Sequence, residues 1–193
     1  MDFTQGTTEE KTIRAKRMML WFGIISLIMS FAGLTSAFIV SSTREDWLAD
    51  FQLPEAFTIS TIVIVISSVT LYLSGHALKK GNRSLTSFFL VFTFILGIVF
   101  IYSQFKGFEQ IVQSGYYFTG ESSNITMSYI YIIAVAHILH VVVGLICLIV
   151  VIYNHFKQKY KAGKMLGFEL ASTFWHFVDI LWLYLFFFLY FFR

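Results

Sequence analysis

The sequence predicts an all-α integral membrane bundle of five transmembrane helices, with the N-terminus inside and the C-terminus outside. Three observations carry that prediction. Hydrophobic residues make up 57% of the 193 positions and charged residues 13%, about half the charged share of a soluble domain, so a water-soluble fold of this size could not bury its apolar surface. The apolar residues arrive in five runs, each long enough to cross a hydrocarbon core of about 30 Å at about 1.5 Å per residue. The basic residues fall in alternate polar segments. Open strands leave backbone groups unpaired in lipid, and barrel strands are shorter and alternate. Helix is therefore the economical structure for every run, and residues 1–193 read as a single membrane domain.

The first run, Met18 to Val40, follows Lys11, Arg14, Lys16 and Arg17; it is too long for the core of a cleaved signal peptide and reads as an uncleaved anchor. Ser26, Ser30, Gly33 and Ala37 recur at steps of four, three and four, placing a ridge of small residues on one face where another helix can approach closely. Packing within the bundle is the plain reading of this ridge; contact with a different subunit is the sharper one. The second run, Ala56 to Leu78, begins after Pro54. The third, Ser84 to Phe105, leads into the longest loop, Lys106 to Thr126, where Tyr116, Tyr117 and Phe118 suit the headgroup level or a partner subunit. Asn124-Ile125-Thr126 fits a glycosylation acceptor, a tripeptide common by chance. The fourth run, Met127 to Tyr153, contains Cys147, the sole cysteine, which excludes an intrachain disulfide and a thiolate metal cluster. The fifth runs from Leu170 to Phe192.

Eleven of the fourteen basic residues lie before the first run, between the second and third (Lys79, Lys80, Arg83), and between the fourth and fifth (Lys157, Lys159, Lys161, Lys164). The other segments hold Arg44, Lys106 and Arg193 beside Glu45, Asp46, Asp50, Glu55, Glu109 and Glu121. The positive-inside rule then places the basic ends inside. The net charge of +3 is an orientation signal, not a nucleic-acid patch.

The fourth and fifth runs carry the informative chemistry. His137 and His140 are three apart, as are His176 and Asp179, so each pair shares a helical face. Counting about 1.5 Å per residue, His137 lies about 16 Å and His140 about 21 Å from the outer boundary, with His176 about 9 Å and Asp179 about 14 Å from the inner one. The four are expected at two matching levels, as one buried polar network. An unpaired carboxylate at mid-membrane costs at least a few kcal/mol, so Asp179 calls for a donor or a neutral state. Three readings stay open: a structural hydrogen-bonded network, proton handling, and metal or haem ligation. His76 and His155 fall at inner helix ends, where interfacial anchoring is expected. Glu169 is an inner-boundary carboxylate that a helix N-terminus favours; its functional alternative is a carboxylate on a proton-loading side.

His137-Ile138-Leu139-His140-Val141 with Gly144, then Phe168-Glu169, and above all Trp175-His176-Phe177-Val178-Asp179-Ile180-Leu181-Trp182 resemble subunit III of the haem-copper terminal oxidases, cytochrome c and quinol oxidases alike. The likeness in these motifs covers about the last third of the chain; the first three runs agree mainly in number, orientation and basic flank. Family members have seven helices or five, and the chain is similar to the five-helix form. Two departures stand out: Leu27 occupies the position of a buried glutamate of the family, and Ala136 stands near the place of a glycine before the first histidine. No role of that carboxylate carries over.

The resemblance implies a non-catalytic core subunit that stabilises the catalytic subunit I, supports proton uptake and holds phospholipid. Catalytic, cofactor and metal residues are then expected to be none in this chain, with haems and copper in partner subunits and a bacterial inner membrane as the setting. His137, His140, His176, Asp179 and Glu169 match positions of the family pattern. It leaves two alternatives, an accessory subunit of a nitric oxide reductase and a self-sufficient small membrane haem protein or transporter.

Overall fold

A computed structural model describes residues 7–48, 53–117, 124–160 and 165–192. Asp50, Phe118, Glu121, Lys161, Lys164 and Arg193 lie outside the described residues. Among the described residues are five α-helices long and apolar enough to cross a membrane: α1 (Thr8–Ser41), α2 (Glu55–Lys79), α3 (Arg83–Gln113), α4 (Ile125–Phe156) and α5 (Leu166–Phe191).

Several helices outrun their apolar runs because polar residues cap or extend them. Helix α1 starts well before Met18: Thr7 accepts from the Glu10 backbone while Glu10 accepts from the Thr7 N–H at 2.9 Å, a reciprocal capping box. Helix α3 continues past Phe105 to Gln113, which shortens the expected loop and leaves Tyr116 packed against the core. Asn124 is the cap of α4, accepting from the Thr126 N–H at 2.8 Å and donating Nδ2 to the Asp46 carbonyl at 3.0 Å. A side chain so employed is poorly placed for glycosylation. Helix α5 starts at Leu166, so Glu169 lies within its first turn, where the helix dipole favours a carboxylate.

Three helices end alike. At Gly81, Gly115 and Gln158 the backbone turns left-handed, with φ of 75°, 87° and 55°. Paired bonds close each end, for example Asn82 N–H to the Ala77 carbonyl and Lys159 N–H to the Asn154 carbonyl, both at 3.0 Å. This is the Schellman arrangement, in which glycine is the usual left-handed residue.

Helices α2, α3, α4 and α5 pack as a closed ring, α2 on α3, α3 on α4, α4 on α5 and α5 back on α2. Among the described residues α1 stands outside the ring and packs against α4 and α5 alone. It is fastened at three levels: Arg17 to Glu169 at 2.9 Å, Thr35 Oγ1 to the Tyr184 hydroxyl at 3.2 Å, and Ser41 Oγ to the Tyr129 hydroxyl at 2.9 Å. Its inward face is Ile24, Phe31, Thr35 and Phe38. The plain reading of the small-residue ridge is thereby corrected, because Ser26, Ser30 and Gly33 are exposed and Ala37 is half-buried. A methyl group at Gly33 would meet no atom within 4 Å. The aromatic residues decided this rotation: Phe31 and Phe38 enter the core at 2% and 1% exposure, turning the ridge outward.

At the acidic end the loop after α1 is tied down. Leu48 N–H donates to Thr126 Oγ1 at 3.0 Å. Arg44 makes a two-pronged pair with Asp46 through Nε at 2.8 Å and Nη2 at 3.1 Å, and that hydrogen bonding holds the Asp46 carboxyl below its ordinary range.

Candidate functional site: the face of α5 against α2

Within lipid, helices gain little from apolar contact alone, so hydrogen bonds and close packing decide which faces meet. Helix α2 carries seven serine and threonine residues, Thr58, Ser60, Thr61, Ser67, Ser68, Thr70 and Ser74. Six of them divide between its neighbours, and Thr58 is exposed. Toward α3, Thr70 and Thr93 hydroxyls meet at 2.8 Å and Gln104 Nε2 donates to Ser60 Oγ at 2.8 Å. Toward α5, Trp182 Nε1 donates to Thr61 Oγ1 and Trp175 Nε1 to Ser67 Oγ, each at 3.0 Å, and Ser68 Oγ lies 2.7 Å from His176 Nδ1. Three polar side chains of the Trp175 to Trp182 motif are thus held by α2.

Trp175 sits at the centre of the ring. A methyl at Gly97 of α3 would lie 2.7 Å from Trp175 Cη2, and one at Gly144 of α4 would lie 2.9 Å from Cε3. The two glycines are the slots that admit the indole between α3 and α4. Gly144, part of the fourth-helix motif, serves packing against the fifth.

The structure places the four ionisable residues differently from the expected single network. His137 is fully buried, its ring tilted by 33° against Trp182 at 5.0 Å between centroids, with Phe100 at 5.9 Å and Phe31 at 6.4 Å. Neither ring nitrogen has a hydrogen-bond partner. His140 is half-buried and turns its Nδ1 to the Ala136 carbonyl at 2.6 Å; a carbonyl only accepts, so Nδ1 is the N–H of that ring. His176 bonds to α2. Asp179, 3% exposed, lies beside Ser68, yet neither of its oxygens completes a hydrogen bond. No hydrogen bond therefore joins the histidines of α4 to His176 or Asp179. The depth along each helix was readable from residue counts, whereas rotation about its axis was not: α5 turns its ionisable residues toward α2 and its Trp182 toward His137.

One further residue stands apart from expectation. His155 is buried, with Nε2 at 2.9 Å from Ser87 Oγ of α3, so it ties α4 to α3 and does not anchor an interface. Glu169 is exposed and ion-paired with Arg17 of α1. Around it open a cleft of about 570 Å³, whose lining includes Lys16, Arg17, Lys159 and Tyr160, and one of about 230 Å³ between α2 and α5. Burial raises the Tyr160 hydroxyl pKa. Among the described residues no group of three or more His, Cys, Asp or Glu side chains is arranged to hold a metal ion. The hydroxyl partners on α2 were the part that sequence reasoning missed. Their signal was present as hydroxyl residues recurring through an otherwise apolar span.

Comparison with known proteins bears on the same residues. The family described as cytochrome c oxidase subunit III matches residues 4–193. Proteins named cytochrome c oxidase subunit 3 are similar to the chain. That of Spodoptera frugiperda is 31% identical over 139 residues, covering 70% of this chain and 86% of its own length. That of Aedes aegypti is 32% identical over 136 residues, 70% of this chain and 48% of its own. That of Papio hamadryas is 33% identical over 180 residues, 84% of this chain and 64% of its own. The chain thus spans about half to two thirds of two of these relatives. A match running from before α1 to the last residue takes in the α2 hydroxyls as well as the α5 motif they hold, and by it the chain belongs to the cytochrome c oxidase subunit III family.

Proposed function

We propose that the chain is a non-catalytic core subunit of a proton-pumping haem-copper terminal oxidase, bound to the catalytic subunit I, which it stabilises while supporting proton uptake. Haems and copper reside in the partner subunits on this reading, and the basic end faces the side from which protons are taken. The observation that carries it is the use made of the motif. Trp175, His176 and Trp182 are spent on holding α5 to α2, which builds a rigid scaffold. The outward ridge Ser26, Ser30 and Gly33 on α1 supports contact with a partner helix, since small residues permit close approach. The cleft bounded by Lys16, Arg17 and Lys159 supports a bound phospholipid, its cations matching a phosphate.

The test is purification of the tagged chain in mild detergent from its native membrane. A co-purifying haem-copper subunit with its optical spectrum is expected. A catalytic subunit of the nitric oxide reductase type, or a stable solitary protein with its own haem band, would replace this reading by one of the two alternatives. Membrane fractionation in the same preparation locates it. The bacterial cytoplasmic membrane is the sequence-based expectation, while the insect and vertebrate relatives favour a mitochondrial one.

A further inference from the structure

Helix α5 carries Glu169, Ser172, His176 and Asp179 at steps of three, four and three, a single helical face. That face runs from the basic end into the apolar interior. Glu169 and Ser172, with Tyr72, His76 and Lys79 of α2, line the cleft of about 230 Å³ between the two helices. One helical turn deeper, about 5.4 Å, lie half-buried His176 and its partner Ser68. Beyond them is Asp179, 3% exposed, both oxygens without a hydrogen bond and Ser68 alongside. A carboxyl group kept at that depth without a bonding partner costs stability. The fold nevertheless sets beside it the hydrogen-bonded pair of His176 and Ser68.

We propose that the α2–α5 seam is a proton-exchange path from the basic-end cleft through His176 and Ser68 to the carboxyl group of Asp179. In one passage a proton from water in the cleft binds His176 Nε2, and Nδ1 releases its own proton to Ser68 Oγ. The Ser68 hydroxyl proton passes to a carboxylate oxygen of Asp179. Only N–H and O–H bonds change, one proton is moved, and no electrons are transferred. Rotation of the Ser68 hydroxyl completes the last step, since the resting carboxyl accepts no bond. The charged and titratable groups facing the entrance are Glu169 of α5 and Tyr72, His76 and Lys79 of α2, with Arg17 of α1 paired to Glu169. The inference does not rest on the oxidase reading, because exchange is read on this chain's own carboxyl.

Infrared spectroscopy of the full-length chain, in whatever complex it purifies with, tests it. The carboxyl C=O band that vanishes in Asp179→Asn is followed after transfer into D2O. In the native protein the band shifts at a measurable rate. His176→Gln, which keeps a partner for Ser68 but does not pass a proton between two ring nitrogens, is expected to slow the shift by about a hundredfold. Ser68→Ala slows it comparably, Ser68→Thr restores the rate, and Cys147→Ala, on α4 away from the seam, leaves it unchanged. A band that never shifts, an Asp179→Asn spectrum that loses no carboxyl band, or native rates in both His176→Gln and Ser68→Ala overturns the proposal. Melting curves show that each variant is folded, and His176→Gln carries the test should Ser68→Ala not fold.

Discussion

Gln158 turns left-handed where Gly81 and Gly115 do the same at the other two helix ends, and a β-carbon in that conformation costs about 1–2 kcal/mol. Gln158→Gly is therefore expected to raise stability by about 0.5–1 kcal/mol, and Gly81→Ala or Gly115→Ala to lower it by about 1 kcal/mol, as read from thermal melting in detergent. His137 supplies a sharper case. Its two nitrogens are unpartnered among Trp182, Phe100 and Phe31, so His137→Phe keeps the ring packing while removing groups whose burial costs about 1–3 kcal/mol. The variant should melt at the same temperature or higher; a marked loss would mean that His137 is bonded in the assembled protein. That ionisable residues lie in the interior was legible from the sequence, since His137 and Asp179 interrupt apolar runs. Their partners were not, because the direction of a side chain around its helix depends on which neighbour wins the contact.

At the level of the helices, α2 is the element that holds both α3 and α5 through its hydroxyls. Ser67→Ala strands the Trp175 N–H in the ring interior and is expected to cost about 1–3 kcal/mol. Trp175→Phe in the same background should recover part of that loss, so a double-mutant cycle in chemical or thermal unfolding separates the hydrogen bond from the packing. Gly97→Ala pushes a methyl to within 2.7 Å of the indole and of Leu145 Cδ2, an overpacking that costs about 1–3 kcal/mol; a neutral outcome would show that Trp175 is free to move. Helix existence was readable because each apolar run exceeds the hydrocarbon thickness. Helix ends were less so where polar caps prevail, as with Thr7 and Glu10 at the start of α1. The ridge Ser26, Ser30, Gly33 and Ala37 shows the same limit: spacing gave one face, but Phe31 and Phe38 determined which way it points.

The whole molecule is a four-helix ring with α1 leaning on α4 and α5. Gly33 has open space on its outer side, so Gly33→Leu should leave the isolated chain's melting unchanged within about 0.5 kcal/mol. If a partner helix docks there, the same variant should lose that partner on purification. The hydroxyls of α2 have one further consequence, for the order of assembly. Thr61 and Thr70 also donate to carbonyls of their own helix, at 2.7 and 2.8 Å, the local bond that lets such side chains tolerate hydrocarbon. A newly inserted chain that still lacks its C-terminal helix therefore has these hydroxyls satisfied in advance. Thr61 retains a lone pair for the Trp182 indole donor that arrives last, so biogenesis can pause between the second span and the fifth without leaving that hydroxyl bare to the acyl chains.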